Sequence, residues 1–467
     1  MTDRNQRVID RMALWPVPKV ILHMAVPSIV ALLVQSLYLM ADSYFVGQLP
    51  GIAKEATAAI ALVGPLFIVI QAVGLAFGMG GGSYISRLLG RGDREEAKRV
   101  LSTCVYTSML VCLFLLVFGN ILLEPLVVAL GATDTAMPLA LEYAGILLYG
   151  APLMAVCFVL NNGLRAEGNA VFSTIGMVSG ALLNIALDPI LIYTTGWGVR
   201  GAAIGTVLCQ FVSMCILISF YVRRRSLLSI APRYFSPRRS LYGQVAKIGV
   251  PTFLRNILGA VSAILVNYAA REHGDSAIAG LGIVGRFNWV IFSILLGFAM
   301  AYMPVSGYNY GARRYARVRE AFRFSLRAAV AFMTLSGILL LVFATSIASV
   351  LHSDPRVAEI GAMVMRAQAF TLPLVGGGLL INMLFESLGR GVQATILSLG
   401  RQGVFLAACI LVLPPLFGLD GIVLSQPVAD VLFFALAVPL SLRMVRELRT
   451  LKDDPVPLAA ESSQTDP

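Results

Sequence analysis

Four polar residues in the N-terminal half offer the most distinctive chemistry of this 467-residue chain. They are Asp42, Asn184, Asp188 and Thr206. All four lie in apolar segments, and a carboxylate at the centre of a bilayer costs about 2.5–3.5 kcal/mol, so each acid needs a reason. Asn184 precedes Asp188 by four residues, which places both on one helix face. The set could bind Na⁺ through hard oxygen ligands, or its two carboxylates could share a proton, so the pattern predicts a coupling site for Na⁺ or H⁺.

A second set of polar residues is predicted to line the cavity around this site. Gln35 and Tyr38 precede Asp42 by seven and four residues, so the three share one stripe of the first apolar helix. Tyr143 and Asn161 lie on the fourth apolar segment, Asn161 at its inner end. We expect these four to contact substrate or line the cavity, and we expect no cofactor beyond the coupling ion.

The composition predicts a membrane protein. Hydrophobic residues make up 58% of the chain and charged residues 13%, about half of what a soluble domain carries. A net charge of +11 therefore does not indicate a nucleic-acid binder; it needs an explanation from membrane topology. The absence of a Walker A loop, a His-Glu-x-x-His pair and a Gly-x-Ser-x-Gly elbow argues against an ATP-driven pump or an enzyme.

The apolar runs predict an all-α membrane protein with twelve transmembrane helices, because each run is long enough to cross a bilayer as a helix. The predicted spans are 20–45, 57–85, 100–122, 138–160, 170–194, 199–222, 246–270, 277–306, 322–350, 360–386, 393–416 and 420–442. Most basic residues then fall on one side of the membrane. The opposite loops hold Lys54, Arg200, Arg271 and Arg356. This asymmetry predicts a multi-pass membrane protein with both termini in the cytoplasm.

An internal repeat divides the spans into two parallel six-helix halves. Its anchors are Gly64 and Gly285, Gly90 and Gly311, and Gly168 and Gly389 at a shift of 221, Gly198 and Gly418 at 220, and Pro27 and Pro251 at 224. We predict a cytoplasmic N-terminal tail (1–19), an N-lobe (20–222), a basic linker (223–243), a C-lobe (244–445) and a largely disordered C-terminal tail (446–467). Two such lobes can expose a site alternately to each side, which predicts transport.

Three further patterns carry smaller predictions. Gly74, Gly78 and Gly82 recur at four-residue spacing, which predicts close helix packing. Glu386 and Arg390 are also four residues apart, so a structural salt bridge is the favoured interpretation. Asp430 falls near mid-membrane and could meet a cationic substrate or Arg286. The sequence leaves open whether Glu386 or Asp430 takes part in transport.

Several ordered segments resemble the MATE (multidrug and toxic compound extrusion) transporters, in particular their DinF-like and MepA-like bacterial branches. They are Ala41-Asp42-Ser43-Tyr44-Phe45-Val46-Gly47, Leu164-Arg165-Ala166-Glu167-Gly168-Asn169, Asn184-Ile185-Ala186-Leu187-Asp188-Pro189, Gly198-Val199-Arg200-Gly201-Ala202-Ala203 and Pro304-Val305-Ser306-Gly307-Tyr308-Asn309-Tyr310-Gly311. The resemblance covers about residues 15 to 445. It implies a V-shaped pair of six-helix lobes that exports lipophilic, mostly cationic drugs or metabolites in exchange for Na⁺ or H⁺.

The resemblance also carries roles for individual residues. It implies that Asp42, Asn184, Asp188 and Thr206 form the N-lobe cation site, and that Gln35, Tyr38, Tyr143 and Asn161 line that lobe. The NorM-like branch couples through acids in helices 7 and 10, whereas this chain offers none there before Glu386. The expected partners are small molecules and membrane lipid, with a monomer as the functional unit. The alternative is a lipid-linked oligosaccharide flippase of the same superfamily, for which Arg255 and Arg286 would serve an anionic substrate.

Overall fold

The computed structural model describes residues 3–49, 52–130, 135–352 and 354–454, and their regular structure is helical. In chain order the α-helices are α1 Asp3–Leu14, α2 Val17–Gly47, α3 Ala53–Gly90, α4 Arg94–Ile121, α5 Leu123–Ala129, α6 Met137–Ala166, α7 Ala170–Pro189, α8 Gly198–Val222, α9 Arg239–Arg271, α10 Asp275–Gly311, α11 Tyr315–Leu351, α12 Pro355–Ala369, α13 Leu372–Leu388, α14 Gly391–Leu399, α15 Leu406–Phe417 and α16 Leu419–Thr450. Two π-helical turns, Ile190–Thr194 and Gly400–Phe405, interrupt the fifth span of each repeat.

The described residues contain eleven helices long and apolar enough to cross a membrane, or twelve when one bent pair is counted as a span. That pair is α12 and α13, which meet at an angle of 55°. Pro373 stands in the first turn of α13, where its missing N–H costs least. The predicted all-α membrane fold is therefore confirmed, with the tenth span bent.

The N-terminal segment that was predicted as a polar tail forms α1 instead. Val8, Ile9, Met12 and Ala13 are buried, and their spacing places them on one face of the helix. Val8 and Met12 lie against Gly168, which has a φ of +95° and leaves room for both side chains. The apolar spacing was the available signal for this helix. At the other end, α16 continues past the predicted tail boundary to Thr450, because Met444 and Leu448 extend its buried stripe; the rest of the predicted disordered tail, 455–467, lies outside the described residues.

The first compact unit contains α1 and Val30–Phe253. Its centre is the packing of α3 on α6, where a Cβ added at Gly78 would lie 2.9 Å from the carbonyl oxygen of Phe158. Gly74 and Gly82 approach the same helix, so the predicted close packing of the glycine stripe is confirmed. The start of α9 belongs to this unit because Gly80 on α3 lies against the Val245 main chain.

The second compact unit contains Trp15–Ile29 and the chain from Leu254 onward. The start of α2 belongs to it because Gly297 on α10 leaves room for the main chain of Ile29, 2.8 Å from where a Cβ would stand. These boundaries differ from the predicted lobes 20–222 and 244–445 at the first helix of each repeat. A run of apolar residues marks a span but does not show which neighbours each end of it will contact.

The connection after α6 is held by a buried carboxylate. Glu167 is 2% exposed, and its Oε2 accepts hydrogen bonds from Ser226 Oγ at 2.7 Å and from the Leu227 main-chain N–H at 2.8 Å. Its Oε1 accepts from Asn169 Nδ2 at 2.7 Å. Burial raises the pKa of Glu167 to about 7, although these hydrogen bonds act in the opposite direction. The start of the linker is therefore held against unit 1 by a carboxyl group whose pKa is raised by burial.

The replacement Glu167→Gln should remove a pH-dependent loss of stability. Because the folded-state pKa is above its ordinary value of 4.5, the folded protein binds more protons than the unfolded chain between about pH 4.5 and 7, and stability falls as pH rises through that window. The amide cannot ionise, so the melting temperature of purified Glu167→Gln minus that of wild type should increase from pH 5 to pH 8, by an equivalent of a few kcal/mol. Melting curves at constant ionic strength measure this; a difference that stays constant with pH would contradict it.

Candidate functional site

The two N-terminal acids predicted to bind a cation are both buried in unit 1. Asp42 lies on α2 and is 7% exposed, and Asp188 lies near the end of α7 with no exposed surface. Each carboxylate lies within electrostatic range of the other. The phenol groups of Tyr38 and Tyr143 also lie within electrostatic range of both acids. The structure thus assembles residues that are separated by up to 150 positions in the chain.

Asn184 and Thr206 complete the predicted cluster. Asn184 Nδ2 donates a hydrogen bond of 3.0 Å to Asp188 Oδ1, across one turn of α7. Thr206 is buried on α8, directly after Gly205. A Cβ on Gly205 would lie 2.9 Å from Asp188 Oδ1, so the glycine allows α8 to approach the carboxylate. We call Asp42, Asn184, Asp188 and Thr206 the acid cluster.

Three buried oxygens of the acid cluster have no hydrogen-bond partner within the described part of the chain. They are Asp42 Oδ1, Asn184 Oδ1 and Asp188 Oδ2. Buried polar atoms in folded proteins are nearly always satisfied, and an unpaired buried carboxylate oxygen is especially costly. Three acceptors without a donor, contributed by two helices, therefore have the chemistry of a site that receives a cation or a proton.

A cavity of about 60 Å³ lies beside the acid cluster. Among the predicted residues it is lined by Gln35, Tyr38, Asn161, Asn184 and Thr206. Asp42, Asp188 and Tyr143 do not line it. Met177, Cys209, Gln210 and Ser213 line it as well and were not predicted. Small-molecule pockets usually enclose about 300–1,000 Å³, so this space suits an ion with one or two waters and is too small for a drug.

Asn161 lines the cavity, and its side-chain amide also forms two hydrogen bonds that were not predicted from the sequence. Its Nδ2 donates to the Ser173 main-chain oxygen at 2.9 Å, and its Oδ1 accepts from Arg165 Nη2. Arg165 is itself buried and also lies near Met177, a lining residue of the cavity. Arg165 was predicted only as a cytoplasmic basic residue. A positive charge thus stands at the inner end of the cavity, held there by Asn161.

The π-helical turn after α7 links the two helices that carry the acids. Pro189 has no N–H to donate, which releases the helical ladder directly after Asp188. Within the turn, Tyr193 Oη donates to the Phe45 main-chain oxygen at 2.5 Å, three residues beyond Asp42 on α2. The sequence showed the proline but gave no sign of the Tyr193 contact.

Two buried acids of unit 2, Glu386 and Asp430, are paired with arginines, and the expected partner of Glu386 was wrong. Glu386 forms its ion pair with Arg255 at 2.5 Å, whereas Arg390, the expected partner, pairs with Glu447. Asp430 pairs with Arg401 at 2.9 Å and not with Arg286. Both acids are buried. Arg390 lies beyond Gly389, whose left-handed conformation ends α13, so Arg390 does not continue the helical face that carries Glu386.

The fold and the buried acid cluster define a multi-pass membrane transporter. The sequence profile of the MatE family matches residues 27–190 and 251–411. The multidrug export protein MepA of Staphylococcus haemolyticus (strain JCSC1435) is 30% identical over 427 residues, which cover 91% of this chain and 94% of MepA. The chain belongs to the MATE family and is therefore a transporter rather than an enzyme.

Two solved structures extend this likeness to the fold. A crystal structure of MATE in the bent conformation superimposes with a TM-score of 0.89 at 26% identity and covers 96% of this chain and 99% of its own. A MOP superfamily transporter from Pyrococcus furiosus Vc1 (DSM3638), described as having a binding pocket of reverse polarity that suggests a different function, gives a TM-score of 0.86 at 27% identity, with 94% and 98% covered.

Proposed function

We propose that this transporter is a secondary active antiporter that exports lipophilic, mostly cationic compounds in exchange for Na⁺ or H⁺ by alternating access. The observation that carries the proposal is the set of three unpartnered buried oxygens in the acid cluster. The likeness to a multidrug export protein over most of the chain supports the substrate class. The site lies in the bacterial inner membrane, with both termini in the cytoplasm and the monomer as the transporting unit.

In this proposal the acid cluster binds the coupling ion. Asp42 and Asp188 supply negative charge, and Asn184 Oδ1 and the Thr206 hydroxyl supply neutral oxygen ligands. Gln35 and Tyr38 line the ion's cavity, Tyr143 backs it, and Asn161 with Arg165 closes its inner end. Because the cavity is too small for a drug, these residues serve the ion, and the drug binds elsewhere in the protein.

The energy available from such an exchange is sufficient for efflux. One elementary charge that crosses 100 mV yields about 2.3 kcal/mol. Since about 1.4 kcal/mol corresponds to a factor of ten, each coupled ion can support a drug gradient of roughly fiftyfold. No bound nucleotide or redox cofactor is required by this scheme.

The alternative function, a flippase for lipid-linked oligosaccharides, is not favoured. An anionic pyrophosphate substrate would need unpaired basic groups, but Arg255 is paired with Glu386. In the described structure the unpartnered oxygens of the acid cluster are negative or neutral acceptors, which suit a cation. The related transporter from Pyrococcus furiosus is described as having a binding pocket of reverse polarity. The sign of the charge on the substrate of this chain should therefore be tested directly.

The test is ethidium efflux from membrane vesicles in which a Na⁺ gradient and a pH gradient are imposed separately. Thr206→Val removes only the hydroxyl, so under Na⁺ coupling it should raise the Na⁺ concentration for half-maximal efflux by about tenfold, the effect of one oxygen ligand. Thr206→Ser is the matched control and should remain close to wild type. Under H⁺ coupling, Na⁺ should have no effect and Thr206→Val should keep most of its activity. Efflux driven by neither gradient would reject antiport.

A further inference from the structure

Unit 2 contains a second, larger cavity that the proposed ion exchange does not use. It encloses about 270 Å³ and is lined by residues of α9, α10, α12, the π-helical turn Gly400–Phe405 and α16. We call it the unit 2 cavity. Its polar lining residues include Ser262, Asn267, Asn288, Gln368, Gln402 and Gln426.

The internal repeat places this cavity at the counterpart of the ion site. At the shift of 224 that relates Pro27 to Pro251, Gln35, Tyr38 and Asp42 correspond to Gly259, Ser262 and Val266. At 221, Tyr143 corresponds to Val364, and at 220, Thr206 corresponds to Gln426. All five counterparts line the unit 2 cavity.

The structure supports this correspondence independently of the sequence. Gly201 on α8 and Gly421 on α16, which match at 220, each lie against a carbonyl oxygen at the end of the preceding span, that of Leu191 and that of Leu413. Pro152 and Pro373, which match at 221, both lie in the fourth span of their half, Pro152 within the continuous α6 and Pro373 in the first turn of α13. Gln35, Tyr38 and Thr206 line the unit 1 cavity and their counterparts line the unit 2 cavity, so the two cavities occupy overlapping regions of the two halves.

The unit 2 cavity has lost the negative charge of its counterpart. Val266 stands where unit 1 has Asp42, and the segment that matches Asp188 contains Cys409 and Ile410. The residues that line the cavity include no Asp, Glu, Lys, Arg or His within the described chain. The nearby Asp430 carboxylate accepts from Gln426 Nε2 at 3.2 Å but is neutralised by its ion pair with Arg401. A cation therefore finds no compensating charge there.

Smaller side chains accompany the larger volume of the unit 2 cavity. Gln35 and Tyr38, which line the unit 1 cavity, correspond to a glycine and a serine that line the unit 2 cavity. The volume is about 270 Å³ in unit 2 and about 60 Å³ in unit 1. This approaches the lower end of the usual range for small-molecule sites, about 300–1,000 Å³.

The polar groups that remain are neutral hydrogen-bonding groups, and one of them lacks a partner. Asn288 Nδ2 donates to Gln368 Oε1, while Asn288 Oδ1 is buried with no hydrogen-bond partner in the described structure. Ser262 Oγ donates to the main-chain oxygen of Gln402, in the π-helical turn. An unpaired buried acceptor beside apolar walls suits a ligand that brings an N–H or O–H donor.

We propose that the unit 2 cavity is a binding site for an uncharged small molecule that carries an amide or hydroxyl group on an apolar body. The acid cluster selects cations because it contains two carboxylates. The unit 2 cavity selects uncharged ligands because the described residues that line it carry no charge. The site goes beyond the proposed antiport, and its occupancy needs no ion gradient.

The proposal can be tested by photolabelling the purified full-length protein in lipid nanodiscs. The probe is 4-benzoylbenzamide, an uncharged photoreactive amide, and the comparison probe is its cationic analogue (4-benzoylbenzyl)trimethylammonium. We expect the amide, but not the cation, to label peptides of α9, α10 and α16 that line the cavity, and excess benzamide to suppress the labelling.

Two variants test the site from different directions. Val364→Tyr restores a large side chain at the counterpart of Tyr143 and should lower amide labelling about fivefold or more by filling the space. Asn288→Leu nearly preserves shape but removes the unpaired acceptor; it should lower amide labelling by about tenfold, the effect of one hydrogen bond, and leave cation labelling low. Melting temperatures and gel filtration check folding, and if Val364→Tyr does not fold, the near-isosteric Asn288→Leu carries the test.

Three outcomes would overturn the proposal: equal labelling of the cavity by both probes in wild type, labelling that benzamide does not suppress, or labelling that is unchanged in both variants. The last two would mean that lipid or non-specific contact explains the signal. Asp42→Asn should label like wild type. The binding result therefore stands or fails separately from the proposed ion exchange.

Discussion

Replacing Asp42 with Asn should abolish gradient-driven ethidium efflux while the amount of folded protein in the membrane stays close to that of wild type. The two side chains have nearly the same shape, so packing around this 7% exposed position is preserved. What disappears is the charge that an entering cation must neutralise, together with the group that could carry a proton. Asp42 Oδ1 has no hydrogen-bond partner in the described structure, so the substitution breaks no bond to it there.

The expected size of the effect follows from coupling. An antiporter that cannot bind its driving ion gains none of the roughly 2.3 kcal/mol per charge that the gradient offers, so accumulation against a drug gradient should fall to the background of vesicles without transporter. Asp188→Asn should have the same phenotype, because the two acids lie within electrostatic range and share one ion.

Glu142→Gln is the matched control for this experiment. It makes the same chemical change on α6 of the same unit, but Glu142 has a side chain 42% exposed and meets Arg200 only at 3.8 Å. A surface ion pair of this kind contributes little, so efflux should remain near wild type. Full gradient-driven activity in Asp42→Asn, with Glu142→Gln also active, would remove Asp42 from the transport mechanism.

The sequence predicted those parts of the site that depend on spacing along one helix or on depth in the membrane. Asn184 and Asp188 lie one turn apart on any helix, and their hydrogen bond follows from that geometry. Asp42 and Asp188 were predicted to belong to one coupling site because both lie in apolar segments, and the structure brings them within electrostatic range of each other. Burial of these groups was predictable because their segments are apolar throughout.

The sequence could not predict contacts between helices that are distant in the chain. Glu386 has a sequence neighbour of opposite charge at Arg390, yet its partner is Arg255, 131 residues away. Spacing along one helix is the only information the sequence provides here, whereas the outcome is decided by which helix packs alongside.

Glycines that match between the two repeats do not all have the same structural role, and the structure shows the difference. Gly168 and Gly389 both have positive φ, +95° and +73°, directly after the fourth span of each half, so a side chain there is strained. Gly64 and Gly285 are matched equally well in sequence, but a Cβ at either would meet no atom within 4 Å. A glycine that is matched between the repeats is therefore not always a position where a side chain would be strained or would clash.

Gly201→Ala and Gly421→Ala should each strongly destabilise the protein. A Cβ at Gly201 would overlap the carbonyl of Leu191, and one at Gly421 would overlap the carbonyl of Leu413, so main chain rather than a flexible side chain would have to move. Such overpacking costs about 1–3 kcal/mol and sometimes more. We expect a clearly lower melting temperature in detergent and less folded protein for both variants, in accord with their equivalent places in the two halves.

Gly64→Ala and Gly285→Ala are the controls, because they make the same substitution at repeat positions with open space. In a helix interior, alanine is favoured over glycine by roughly 0.5–1 kcal/mol, so these variants should melt at or slightly above the wild-type temperature. The two variants at close contacts should therefore melt at lower temperatures than the two at open positions, whichever half of the chain they lie in. If Gly201→Ala melted at the same temperature as Gly64→Ala, the close approach of the α8 main chain to Leu191 would not explain the glycine at position 201. The structural correspondence of the two cavities would then lose one of the observations that support it.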